Sequence, residues 1–451
     1  MKSTASPRTT GRVPAWVWAG LLVLHAAALG WQLHHQQPLF PDSGRYVEAA
    51  RNLQTSGVLY AEPLPAAPLR VQEYSIRPPG YPVLLLLTGG TRAATSLPIA
   101  TLLLQNVLSL INLGMVLRWL AQRGLSRRQW ALVLLLVSTA PAQVIYANVV
   151  MSEVLLQTTI VLLWAALVAF WQPARPTRYF AGAALAAAAA LLIKPVFFPA
   201  AALMLGLGMV VGWQQRRPVL TFWGAVPLLV ALLWMGRNEA RTGYFHFSSI
   251  AEINLLRYNT RGVLQATEGP AVAERFVRST VAASQHLPTF REQQHYIQRA
   301  SVAALRRHPV AYAAQHLRGV ISFFLDPGRF DLVYFLGLPD TAGMGLLQQL
   351  NEHGYRAILG YIPQLPAGLV AGLLLVLLAN GARLILALRF LLRRNAGSPA
   401  RWLLVVIIGY VALLTGPLGA SRFAVPVLPL LLAAAGAGLQ GRANSPAELR
   451  R

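Results

Sequence analysis

Five charged side chains lie far apart in this sequence yet share one kind of position. Asp42, Arg77, Glu153, Lys194 and Arg422 each fall at the end of a long apolar run or in the polar stretch beside one. Charge next to hydrocarbon is costly, so side chains kept there are functional suspects. A carboxylate fixed in direction suits proton removal from a hydroxyl. A guanidinium matches phosphate oxygens in fork geometry. Held together at a membrane face, these groups suit chemistry on a lipid-borne phosphate.

The stretch from Phe40 to Pro82 carries most of this argument. Asp42 follows Pro41 and precedes a helical pattern over Ser43 to Gln54, which makes it an N-cap as well as a candidate base. Tyr46 lies one turn on and flanks the same place. Arg77 precedes Pro-Pro-Gly-Tyr-Pro, whose prolines hold the chain extended. It is a candidate phosphate clamp, or else a snorkelling interfacial arginine. Glu73, four residues earlier, is a partner for Arg77 or a metal ligand. Glu153 opens an apolar run, where a helix dipole favours an acid. Lys194 sits between two apolar runs with no charged neighbour and needs an anion from elsewhere. Arg422 begins the last run, where a lipid phosphate would satisfy it. His246 is a metal ligand, a base or a plain surface histidine. No HExxH, Walker loop, GxSxG or dinucleotide fingerprint stands in a credible context.

The elements that must position these residues follow from composition. The chain has 451 residues, 55% hydrophobic and 12% charged. Soluble domains carry about 25% charged residues. The apolar residues cluster in runs of about 17–25, the length that spans a bilayer as helix. The expected fold is therefore an all-α polytopic membrane protein with about ten spans: 14–33, 97–118, 129–147, 153–172, 179–193, 196–213, 218–236, 365–390, 402–418 and 422–439. The apolar segment 78–90 is too short and too crowded by Pro and Gly to be one. Treating it as interfacial puts the arginines of the short loops, such as Arg127, Arg128, Arg216 and Arg217, on the cytoplasmic side. The net charge of +24 is then explained by membrane topology, with no call for nucleic acid. Both termini fall inside, and two loops, about 34–96 and 237–363, fall outside. The second has helical periodicity and divides the chain into three regions, 1–236, 237–363 and 364–451.

With PDSGRYVEAARNL and RPPGYPVLLLL after the first span, the chain resembles the GT-C class of membrane glycosyltransferases. It is closest in style to the bacterial branch related to protein O-mannosyltransferases and lipid A aminoarabinose transferases. MSEVLL, the IKP turn, the WMGRNEARTGYFHFSSIAEINLLRYN entry to the large loop and SRFAVPVLPLLL support the likeness in order and spacing. The resemblance implies a polyprenyl-phosphate or diphosphate sugar donor in a bacterial cytoplasmic membrane. The sugar would pass, usually with inversion, to a lipid, glycan or protein hydroxyl on the outer face. It implies Asp42 as general base and Arg77, Lys194 and Arg422 as donor-phosphate binders; Tyr46, Glu73, Glu153 and His246 are supporting candidates read from the residues themselves. Relatives often pair two acids in the first loop or set an acid before the basic residue. Here Ser43 follows Asp42 and Ile76 precedes Arg77, so a divalent metal requirement stays open. The rival reading is a lipid or solute transporter, which predicts internal repeats and broken helices at mid-membrane. A non-catalytic envelope scaffold would place no demand on Asp42.

Overall fold

The computed structural model describes residues 11–64, 69–172, 176–338, 365–393 and 399–440. Within them all regular structure is helical. Eight helices are long and apolar enough to cross a membrane: Ala15–His35 (α1), Ile99–Ala121, Glu153–Phe170, Pro195–Gln215, Pro218–Thr242, Ala367–Leu391, Pro399–Leu418 and Ser421–Gly438. Thr177–Ile193 is apolar but shorter. Each coincides with an expected span to within a few residues. Between α1 and Ile99 lie two short helices, Ser43–Ser56 (α2) and Gly80–Leu87 (α3). Eight residues rise about 12 Å, too little for a bilayer, so the PPGYP segment is no span.

The remaining expected span, 129–147, is not one helix. It breaks into Arg127–Ser138 and Pro141–Ile145. Pro141 has no amide hydrogen to continue the ladder, and it pushes the preceding residue out of helical geometry. Ala140 accordingly sits at φ −112, ψ 71. The break leaves carbonyls without partners inside an apolar layer, which costs several kcal/mol each unless they are met. Arg383, 1% exposed within Ala367–Leu391, meets them. Its Nη2 donates to the Thr139 carbonyl at 2.8 Å and its Nη1 to that of Leu136 at 3.4 Å.

The segment 146–152 that follows is irregular and wholly buried. Side chains of Ile99–Ala121 hold it. Gln105 donates to the Val149 carbonyl at 2.8 Å, and Asn106 to Asn148 Oδ1 at 2.8 Å. The first loop holds its other side. Ser43 donates to the Val150 carbonyl, and the Val150 amide to that of Pro38, each at 2.8 Å. This satisfied strip fixes the entry of Glu153.

The second loop folds into helices Ile250–Asn254, Arg261–Glu268, Pro270–Gln285, Phe290–Arg307, Pro309–Leu325 and Arg329–Leu336, with a π-helical stretch at Leu255–Thr260. The long periodic run from His295 to Phe324 is two helices, because Pro309 starts a new one after His308. The rest of that loop, 339–363, lies outside the described residues.

Candidate active site

The five charged residues meet in one continuous chain of ion pairs. Arg77 Nη2 lies 2.8 Å from Asp42 Oδ1, and Arg422 Nη1 lies 2.7 Å from Asp42 Oδ2. Arg422 Nε lies 2.7 Å from Glu153 Oε1, and Lys194 Nζ lies 2.6 Å from the same oxygen. Four segments supply them: the first loop, the start of Glu153–Phe170, the end of Thr177–Ile193 and the start of the last pass. Side-chain exposure falls from 33% at Asp42 and 25% at Arg422 to 14% at Lys194, 9% at Arg77 and 0% at Glu153. Glu153 is therefore the floor of the cluster, and Asp42 with Arg422 its open side.

Local sequence explains the placement. Gly80 lets the loop after Arg77 press against the end of Thr177–Ile193. A Cβ there would come 2.8 Å from the Leu192 carbonyl and 2.8 Å from Ile193. This contact brings the Arg77 loop beside the turn that ends in Lys194. Arg77 also lies 4.7 Å from the Tyr46 ring centre, a cation–π geometry. Tyr46 is buried, with its hydroxyl 3.1 Å from Ser152 Oγ and its ring edge-on to Tyr81. Arg77 Nε and Glu153 Oε2 are buried without a hydrogen-bond partner in the protein.

Asp42 does not cap α2. Its backbone is itself helical, at φ −83, ψ −13, and its side chain accepts no amide. Pro41 and Asp42 start the turn, and both carboxylate oxygens go to arginines. Burial alone would raise the acid, but the charges of Arg77 and Arg422, with Lys194 behind them, outweigh it and hold Asp42 well below the ordinary carboxylate range.

Other expected roles change. Glu73 does not pair with Arg77. It is buried, 3.3 Å from Arg45 Nη2, and burial raises its carboxyl despite that neighbour. His246 has both ring nitrogens engaged, Nε2 with Ser75 Oγ at 2.7 Å and Nδ1 with the Tyr244 carbonyl at 2.7 Å. It is stacked on Tyr244, burial lowers its pKa, and its two hydrogen bonds tie the first loop to the start of the second. Among the described residues no three His, Asp or Glu side chains gather as metal ligands.

One clasp has no forerunner in the sequence reading. Asp331 accepts the Tyr146 hydroxyl at 2.8 Å and the Ser421 hydroxyl at 2.5 Å, while Asp326 Oδ2 accepts the Ser421 amide at 2.8 Å. Two second-loop acids thus grip the residue before Arg422. Burial pushes Asp331 up to about 6, against the bonds from Ser421 and Tyr146 that lower it. DPGRFD carries no recognisable motif, and its partners lie about ninety and more residues away.

The fold and site together describe a helical polytopic membrane protein with a charged cluster at the ends of its apolar helices. No protein-family model and no curated protein matches the sequence. Among solved structures the chain is similar to ArnT from Cupriavidus metallidurans bound to undecaprenyl phosphate, at 16% identity, covering 94% of this chain and 76% of that one, TM-score 0.39. The apo state of that protein aligns with TM-score 0.37 at the same identity and coverage. The archaeal oligosaccharyltransferase AglB from Archaeoglobus fulgidus, in complex with an inhibitory peptide and a dolichol-phosphate, aligns at 13% identity over 94% of this chain and 50% of that one, TM-score 0.36. At these scores the functional reading rests on the site itself.

Proposed function

We propose that this protein transfers a sugar from a polyprenyl-phosphate donor to a hydroxyl acceptor at the outer face of a membrane. The observation that carries the reading is the charge of the cluster. Three cations, Arg77, Lys194 and Arg422, face two carboxylates, Asp42 and Glu153. The excess is one positive charge, at the ends of apolar helices where a lipid carrier would lie. A phosphodiester bearing a sugar has one negative charge, so a monophosphate-linked donor neutralises the site and a diphosphate overshoots it.

The acid that holds the arginines is a weak base while it does so. Donor phosphate competes for the same guanidinium forks. As Arg77 and Arg422 turn to phosphate, Asp42 loses the charges that depress it and becomes able to take a proton. The acceptor O–H gives that proton to Asp42, and its oxygen bonds to the anomeric carbon. The bond from that carbon to the phosphate oxygen breaks, and its electron pair leaves on the phosphate. Arg77, Arg422 and Lys194 stabilise that charge, an effect on the order of 3–4 kcal/mol per donor. Attack opposite the leaving group inverts the anomeric centre.

The transporter reading draws on one observation, the broken pass at 127–145. In transporters such breaks expose carbonyls to a ligand. Here Arg383 occupies them, which disfavours that reading.

The test is thermal stabilisation of the purified protein by undecaprenyl phosphate, with undecaprenol as the uncharged control. A ligand at a hundred times its Kd stabilises by about 2.7 kcal/mol. Stabilisation by the phosphate alone, lost in Arg77→Ala and Arg422→Ala, is the expected result. Equal stabilisation by both lipids would remove the phosphate from the argument.

A further inference from the structure

A second cationic feature lies in the second loop, away from the ion-pair chain. The π-helical stretch and the face of Pro270–Gln285 enclose an open cleft of about 610 Å³. Ligand clefts span about 300–1,000 Å³. Arg257, Tyr258, Arg261 and Arg278 line it, and Val277 and Val281 form its apolar part. Its single acid, Glu274, lies 3.2 Å from Arg261. Arg257 and Arg278 have no carboxylate partner among the described residues, so the cleft carries two uncompensated charges.

The backbone here is built for more than connection. Leu255–Thr260 winds as a π-helix, a rare form frequently found at functional sites. Thr260 Oγ1 closes it onto the Leu255 carbonyl at 3.0 Å, and Gln315 donates to the Tyr258 carbonyl at 3.0 Å. Leu256 packs beneath with Val277 and Ile297. The stretch is thus anchored from below, while the Tyr258 side of it stays open at 49% exposure.

We infer that this cleft binds a phosphate-bearing saccharide, the acceptor's recognition element. The guanidinium forks of Arg257 and Arg278 take the phosphate. The sugar ring lies against Tyr258 and the valines, since a pyranose has an apolar face and an aromatic ring an extended one. An apolar anion would leave the polar groups of Tyr258 and Gln285 unused, and a neutral sugar would leave both arginines unpaired. The inference rests on the transferase reading for its purpose, but the cleft can be probed without any transfer.

The probes are glucose 1-phosphate, inorganic phosphate and glucose, titrated calorimetrically into the detergent-solubilised Asp42→Asn protein. Nanodiscs of phosphatidylglycerol supply a lipid phosphate without a sugar. Glucose 1-phosphate is expected to bind at least tenfold more tightly than phosphate or glucose. Losing one charge-assisted contact weakens binding by on the order of 10- to 100-fold, so Arg257→Ala/Arg278→Ala should show at least that loss while still being stabilised by undecaprenyl phosphate. Arg77→Ala should bind glucose 1-phosphate as the parent does. Unchanged binding in the double variant overturns the inference. So does equal binding of phosphate, which means an ion site, and so does preference for phosphatidylglycerol nanodiscs, which means a lipid contact. Loss of undecaprenyl-phosphate stabilisation in the parent, with glucose 1-phosphate binding intact, would sink the donor reading and leave the cleft standing.

Discussion

Glu153→Gln tests whether the cluster is held from its floor. Glu153 is fully buried and serves Lys194 at 2.6 Å and Arg422 at 2.7 Å. At an effective dielectric constant of about 20, each contact is worth roughly 6 kcal/mol in gross Coulomb energy. Desolvating the carboxylate takes most of this back. What remains is the cost of orphaning two cations, and breaking a buried pair costs about 3–5 kcal/mol. A loss near 4 kcal/mol should lower the thermal midpoint in detergent by roughly 5–10 °C. Gln is nearly isosteric, so lost packing contributes little. The cleaner measurement is a cycle with Lys194→Gln. The double variant should be less destabilised than the sum of the singles by about 1–3 kcal/mol. A Glu153→Gln protein that melts within a degree of the parent, or a cycle that is additive, would refute the reasoning. Glu153 would then be a helix-start acid whose neighbours are satisfied elsewhere.

Arg77→Ala should weaken stabilisation by undecaprenyl phosphate more than Arg77→Lys, because a point charge keeps attraction but loses the fork; near-parental behaviour of both would reduce Arg77 to a snorkelling anchor. Asp42→Asn should cut sugar transfer about 10²–10⁴-fold in a folded protein. Because the free enzyme holds Asp42 below the ordinary range, the acid limb of kcat should lie at higher pH than that of kcat/KM; coincident limbs would deny the exchange of partners. Asp331 is raised to about 6 from an ordinary 3.8, so the native state takes up a proton the unfolded chain lacks. That stability, about 3 kcal/mol, is fully present below pH ~3.8 and is lost as pH rises through ~6. The parent should melt higher at pH 5 than at pH 7, and Asp331→Asn should flatten the difference. Cysteine at Gln298 should label from outside and cysteine at Arg128 should not, and the native chain has no cysteine to interfere; the reverse pattern would invert the topology.

Most of the long helices were legible because hydrocarbon thickness sets their length and the apolar runs are of that length, but the run 129–147, long enough for one span, breaks at Pro141. The five site charges were legible because charge beside an apolar run is conspicuous. Their pairing was not. Nothing in the spacing of Glu153, Lys194 and Arg422 says that one carboxylate serves two cations. Asp before a helix is commonly a cap, but at Asp42 tertiary charge overrides the local preference. Sequence distance sets Glu73 beside Arg77, but the tight turn at Val71–Tyr74 turns it to Arg45. The Asp331 clasp was invisible because it has no period and its partners are remote.

Arg383 bears on how the chain is made. The carbonyls it meets belong to Leu136 and Thr139, 247 and 244 positions earlier. During synthesis the interrupted pass enters the membrane long before the helix that completes it has emerged. Until then its free carbonyls must be sheltered by the insertion machinery, by water or by a neighbour standing in. The Asp42–Arg422 pair waits longer still, since its second member begins the final pass. Ribosomes halted before Ala367 should therefore yield chains that are inserted yet marked for proteolysis. Quality control would read the unfinished interior as damage, and release would come with the last two hairpin legs.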